Sequence, residues 1–226
     1  MSINLRGGAL SFGFLFMAWG CGTAPVVHSS AEVQEVNLEA QETIEVFLPH
    51  PNGRDDHIVN SLQNALVDLE VSENVLGDFR PSQILLLKGK STPSSAIGRS
   101  EGLLFSANLP SAISASFKDT KHYTVVIAWL KPGKEADYEK YLDGIEPAMT
   151  RSGGQFLWKL KIPQMPSTDT GEARKGQITF VEWNDTNGFR NVTKSEEYKA
   201  HNQYFGSAIE KFEFHWLKTA DGPSAS

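Results

Sequence analysis

The sequence predicts an α+β protein: a ferredoxin-like βαββαβ unit with an antiparallel sheet, doubled into a tandem pseudo-dimeric α/β barrel. Three observations lead there. Residues 123–217 alternate between strand-like and helix-like periodicity in that order. Glycine and proline punctuate the segments where one periodicity gives way to the next. Residues 41–120 carry a fainter version of the same series.

In the C-terminal unit, residues 123–130 are a β-rich run ended by the turn signal Lys131-Pro132-Gly133. Residues 134–152 place Tyr138, Tyr141, Leu142, Ile145 and Met149 at helical spacing, and Gly153-Gly154 stops them. Pro147 lies inside, which predicts a kink or an early end. Residues 156–162 and 177–183 read as the second and third strands, separated by a polar loop. Residues 189–206 read as a helix in two pieces with Ser195 as a cap, and residues 212–217 as the fourth strand. In the N-terminal half, residues 44–48, 84–87 and 102–106 read as strands. Residues 57–69 read as a helix with Ile58, Leu62, Leu66 and Leu69 on one stripe, and residues 112–117 as a short helix. A fourth strand is missing from this reading, and an unrelated α+β cap is the other interpretation of 41–120.

Residues 1–20 have the form of a secretory signal. Arg6 supplies positive charge, residues 9–19 are apolar apart from Ser11 and Gly13, and Cys21 follows a small residue. The apolar stretch is about half the ~20 residues that a spanning helix needs. A cysteine just after such a cut resembles the lipobox of bacterial lipoproteins, although Ala18 stands where that pattern prefers leucine and Trp19 is bulky. An ordinary cleaved signal and an uncut anchor are the alternatives. The resemblance implies lipidation of Cys21, attachment to the lipid bilayer through the acylated thiol, and a place in the cell envelope. Gly22 rather than aspartate points to the periplasmic face of the outer membrane. The expected organisation is a signal peptide over 1–20, a lipidated tether over 21–40, a degenerate ferredoxin-like half over 41–120 and a ferredoxin-like domain over 121–218.

The formal net charge of −6 becomes more negative without Arg6, so the chain carries no electrostatic footprint for nucleic acid. With its single cysteine lipidated, the chain has no disulfide and no thiolate zinc site. No histidine set has metal-ligand spacing, and no cofactor is expected. Gly89-Lys90-Ser91 fails as a phosphate loop because Ile84 stands where the first glycine should be.

Residues 123–217 resemble the family called domain of unknown function 1330, of the dimeric α/β-barrel superfamily. The matching pieces are Tyr138-x-x-Tyr141, Gly153-Gly154-Gln155-Phe156-Leu157, Phe180-Val181-Glu182-Trp183 and Ser195-Glu196-Glu197-Tyr198, in that order. Where the family often has Arg-Gly-Gly, this chain has Lys159-Leu160-Lys161, which weakens any anion-binding role. The resemblance implies two sheets paired through their open faces, either within one chain as a monomer or across a homodimer.

Strand alternation then assigns faces. Phe212, Phe214 and Trp216 oppose Glu213 and His215; Phe156, Trp158 and Leu160 oppose Lys159; Ile178 and Phe180 oppose Thr179. Turning the apolar sets to the helices leaves a polar cleft of Lys159, Thr179, Glu213 and His215 on the open face. There His215 beside Glu213 could act as a general base, since an unperturbed imidazole titrates near 6.5. The plainer reading is a set of polar side chains at an interface. His201 reads as a hydrogen-bonded helix histidine. The leading expectation is an envelope-anchored lipoprotein that binds a small molecule, or packs a partner, through the sheet face. The alternative is a cofactor-independent oxygenase or isomerase of the dimeric α/β-barrel type. A roomy interior with His215 pointing into it favours ligand or enzyme, and a filled one favours packing.

Overall fold

Alternating apolar side chains, rather than a helical stripe, dominate the N-terminal half of the computed structural model, which describes residues 33–50, 65–89, 102–165 and 174–219. Six strands lie there: β1 (Val33–Leu38), β2 (Thr43–Pro49), β3 (Ala65–Leu76), β4 (Gln83–Lys88), β5 (Gly102–Asn108) and β6 (Ile113–Lys118). The C-terminal half holds β7 (His122–Leu130), α1 (Glu135–Arg151), β8 (Gly154–Met165), β9 (Arg174–Trp183), α2 (Asn187–Lys194), α3 (Glu196–Ala208) and β10 (Ile209–Lys218).

The strand order through the large sheet is β5-β2-β4-β3-β10-β7-β9-β8, with every neighbouring pair antiparallel. In each half the order is fourth, first, third, second, which is the ferredoxin-like order. β3 pairs with β10 and so joins the halves, while β5 and β8, at the two ends of the order, lie side by side. Each half thus sets its fourth strand beside the second strand of the other. The result is a pseudo-dimeric α/β barrel made by one chain. One buried cluster fills it from both halves, with Ile44, Val46, Leu69 and Phe105 meeting Val125, Ile127, Trp158 and Phe180.

Three expectations change. Leu66 and Leu69 lie in β3, not in a helix, and the rest of the expected helix, 57–64, falls outside the described residues. From Val67 to Val71 the apolar residues alternate with Asp68 and Glu70, and this period of two prevails because β3 has two partners, β4 and β10. β3 is the strand missing from the sequence reading. Where a short helix is expected over 112–117, Ile113–Lys118 form β6, with Ile113, Ala115 and Phe117 alternating against Ser114 and Ser116. Residues 33–38, expected in the tether, form β1, which pairs with β6 and sends Val36 and Leu38 into the core. Phe117 is wholly buried, its ring 5.1 Å from Tyr123 and 5.4 Å from Trp158. The Tyr123 hydroxyl accepts from the Lys118 amide at 2.6 Å, and burial pushes its pKa up to about 12. The β1–β6 ribbon is therefore pinned into the barrel core by its own aromatic residue and by a tyrosine of β7.

The C-terminal elements form where their punctuation places them. α1 buries Tyr138, Tyr141, Leu142, Ile145, Ala148 and Met149 and ends before Gly153, whose φ of 76° suits glycine. The helix continues through Pro147 to Arg151. Asp143, whose carbonyl loses its helical partner at Pro147, is exposed, so water can serve in place of the missing N–H. Ser195 separates α2 from α3, and its Oγ accepts from the Tyr198 amide at 3.1 Å as an N-cap. Among the described residues no helix is long and apolar enough to cross a membrane.

Candidate functional site

The C-terminal sheet has two buried faces, one turned into the barrel and one covered by α1, α2 and α3. On β10 the alternation falls as expected. Phe212, Phe214 and Trp216 meet the helices, and Lys211, Glu213, His215 and Leu217 point inward opposite Trp129, Ile127, Val125 and Tyr123 of β7. On β8 the ladder shifts by a residue between Phe156 and Trp158, so Trp158 and Leu160 turn into the barrel while Phe156 stays under the helices. On β9, Ile178 and Phe180 point inward, and Val181 and Trp183 point to the helices.

The expected four-residue cleft is therefore divided. His215 and Glu213 share the inner face. Lys159 and Thr179 lie on the helix side of the sheet. Lys159 pairs with Glu146 at 3.4 Å and Asp143 at 3.6 Å on α1, and Thr179 is buried beneath the same helix. The physical reason is that the second half-sheet makes the inner face as apolar as the outer one. Polarity then no longer tells the two apart.

The inner polar groups are locked in place. Glu213 is wholly buried and accepts from the Asp78 and Phe79 amides at 3.3 Å each, with Lys211 Nζ 3.3 Å away. Burial raises its pKa, against the pull of Lys211 and the two amides. Gly77, at a φ of 110°, makes room for this carboxylate, since a Cβ there would lie 1.6 Å from Glu213 Oε2. His215 is also wholly buried, beside Asn74 of β3, and neither ring nitrogen has a hydrogen-bond partner among the described residues. Burial, with a smaller contribution from Arg80, lowers its pKa to about 4. So weak a base takes little part in proton transfer near neutral pH. His215 and Glu213 lie two residues apart on one strand face, and neither ring nitrogen of His215 bonds the carboxylate.

Open space lies on the other face. A partly open cavity of about 60 Å³ lies between the sheet and the three helices. Its walls are Tyr138, Tyr141, Leu142, Ile145 and Met149 of α1, Phe189 and Val192 of α2, Tyr198 and Phe205 of α3, and Thr124, Val126, Phe156, Thr179, Val181, Trp183 and Phe214 of the sheet. Trp183 Nε1 donates to Thr124 Oγ1 at 2.9 Å, which uses the indole N–H. Gln177 Nε2 donates to Thr179 Oγ1 at 3.2 Å. The Tyr138 hydroxyl is buried and has no hydrogen-bond partner among the described residues. Burial pushes its pKa well above the ordinary phenol range, with Thr179 beside it acting the other way, so it stays protonated. Among the described residues the lining contains no carboxylate, imidazole or amine. The helix stripe that forms one wall is legible in the sequence as core. Nothing in a helical stripe distinguishes a core wall from a cavity wall.

Two other features are plainer. His201 Nδ1 lies 2.9 Å from the Glu197 carbonyl, and its ring occupies the space a side chain on Gly144 would need. A groove of about 550 Å³ between Asn108, the N-terminal turn of α1 and the ends of β8 and β9 holds Lys161 and Lys175, each paired with a glutamate of α1. Among the described residues no three potential ligands converge as a metal ion requires. Cys21 lies outside the described residues.

No protein-family model and no curated protein matches the sequence. Among solved structures, a protein of unknown function from Rhodopseudomonas palustris is similar at 17% identity and a TM-score of 0.37, over 44% of this chain and 82% of that one. An anthrone oxidase-like protein is similar at 8% identity and a TM-score of 0.47, over 84% and 99%. A candidate monooxygenase from Fusobacterium nucleatum is similar at 12% identity and a TM-score of 0.44, over 80% and 94%. Likeness at this level is one of chain course and carries no residue role to this protein.

Proposed function

We propose that this protein binds a small, largely apolar organic molecule in the chamber beneath its C-terminal helices, and that it works at the cell envelope, held there by lipid on Cys21. The chamber itself carries the binding half of this reading. It is a partly open aromatic space with a few hydroxyl groups, the usual composition of a small-molecule site, although at about 60 Å³ it is smaller than the usual ~300–1,000 Å³. The half-buried residues of its wall, Phe156, Phe189, Tyr198 and Phe205, are where a larger guest would gain room. Binding is preferred to turnover because the lining holds no group that accepts a proton near neutral pH. The two half-sheets of one chain make the pairing that separate subunits would otherwise supply, which supports a monomer.

Native mass spectrometry of protein purified from cell membranes tests the binding. A bound small molecule is expected in the unmodified chain and is expected to be lost when Val181→Phe fills the chamber. Equal occupancy in both, or none in either, would remove the chamber as the site. For the anchor, a clickable fatty acid should label the chain and fail to label Cys21→Ala; label that persists in the variant refutes lipidation at Cys21.

A further inference from the structure

We propose that the ligand of this chamber is a neutral molecule of about three to five heavy atoms carrying one oxygen acceptor, such as a small ketone, received by the Tyr138 hydroxyl. This rests on the chamber being the binding site. Three observations point to the donor role. The Tyr138 side chain is almost wholly buried, lines the cavity and leaves its hydroxyl unpartnered among the described residues. Buried polar groups in folded proteins are nearly always paired, so a phenol left over at a cavity wall is a group waiting for a guest. Behind it stand Thr179 and Gln177, both buried. Gln177 Nε2 donates to Thr179 Oγ1 at 3.2 Å, which pairs those two groups with each other.

The rest of the lining sets the other properties. With no charged side chain on the walls among the described residues, an ionised ligand would lose its hydration without a counter-charge. Size follows from the cavity of about 60 Å³. An engineered cavity of ~150 Å³ accepts benzene, so the chamber as it stands takes something smaller than a benzene ring.

The test uses the purified full chain and two probes, acetone and xenon, followed by NMR shifts of the Leu142, Ile145 and Val181 methyl groups. Both probes should shift these methyls in the unmodified protein. In Tyr138→Phe, acetone should bind roughly threefold to tenfold more weakly, as the loss of one hydrogen bond implies, while xenon binding is unchanged. Acetone binding that is equal in both proteins, with xenon still bound, would overturn the donor role and leave the chamber standing. If neither probe reaches the methyls, the chamber reading fails first and this one with it. A thermal midpoint guards against a folding artefact. Tyr138→Phe should melt at the same temperature or higher, because it removes an unpartnered buried hydroxyl; a clear fall would mean that the hydroxyl is structural and would also overturn the proposal.

Discussion

The two faces of the C-terminal sheet are both buried, yet they are built for different ends. The inner face carries the groups that look most chemical, His215 and Glu213, and packs them between strands of both halves with Glu213 committed to two amides and a lysine. The outer face carries no group that titrates near neutral pH at its cavity, and it has the space. A buried titratable residue is therefore a poor guide to a site when no cavity among the described residues adjoins it. In this protein the inner face holds the halves together, and the outer face carries the cavity proposed to receive a guest.

That contrast can be tested from the inner side first, where effects should be largest. Phe117→Ala removes a wholly buried ring from between Tyr123 and Trp158, and should cost about 3–5 kcal/mol in urea unfolding. A loss below about 1 kcal/mol would mean that the ribbon is not part of the core.

Next comes acid. The folded pKa of His215 is about 4, below the ordinary imidazole value of 6.5, so its contribution is complete above pH 6.5 and is lost as pH falls through 4. Over that window the group should withdraw about 3 kcal/mol. Comparing urea midpoints at pH 7 and pH 4 should show a steeper fall in the unmodified protein than in His215→Leu. Parallel falls would show that His215 is hydrated in solution, and would reopen the inner face as a site.

Glu213 works in the opposite sense. Its folded pKa is raised above the ordinary 4.5, so the contribution of its neutral form is complete below 4.5 and fades as pH rises through the folded value. Glu213→Gln gives up the charged contact with Lys211 and turns an amide NH₂ toward backbone donors, which should cost about 1–3 kcal/mol at pH 7. The loss should grow on acidification toward pH 5, because the unmodified protein gains stability as Glu213 takes up its proton and the glutamine does not titrate. A cost that shrinks instead would mean that the carboxylate is ionised and well paired, with its pKa lowered.

The smallest effect belongs to the chamber wall. Phe189 is only half-buried, and Phe189→Leu should cost about 1 kcal/mol or less while enlarging the cavity. Xenon uptake followed by NMR should rise. An inner-face-sized penalty of 3 kcal/mol or more would erase the distinction between a packed face and a roomy one.

Much of the fold is legible in the sequence where local signals agree. The run before Lys131-Pro132-Gly133, the stripe from Tyr138 to Met149 and the Ser195 cap all mark elements that form within a few residues of their expected bounds. The N-terminal half is less legible. Leu62, Leu66 and Leu69 happen to fall at helical spacing just where Val67 and Leu69 begin a strand, and only pairing with β4 and β10 decides between the two periods. The candidate site is least legible of all. Lys159 and Thr179 are polar, and a half-sheet considered alone would send them to its open face; the second half-sheet covers that face, and the shift between Phe156 and Trp158 turns Lys159 to the helix side.

By itself, the sequence determined the order of strands and helices in the C-terminal unit and the side of α1 that is buried, because these depend on periodicity and punctuation within one segment. Tertiary structure alone decided which way β8 and β9 face, where β3 lies and where space remains. Alternation separates the two faces of a strand but cannot say which one points inward when both are covered. That answer came from strands distant in the chain meeting across the barrel.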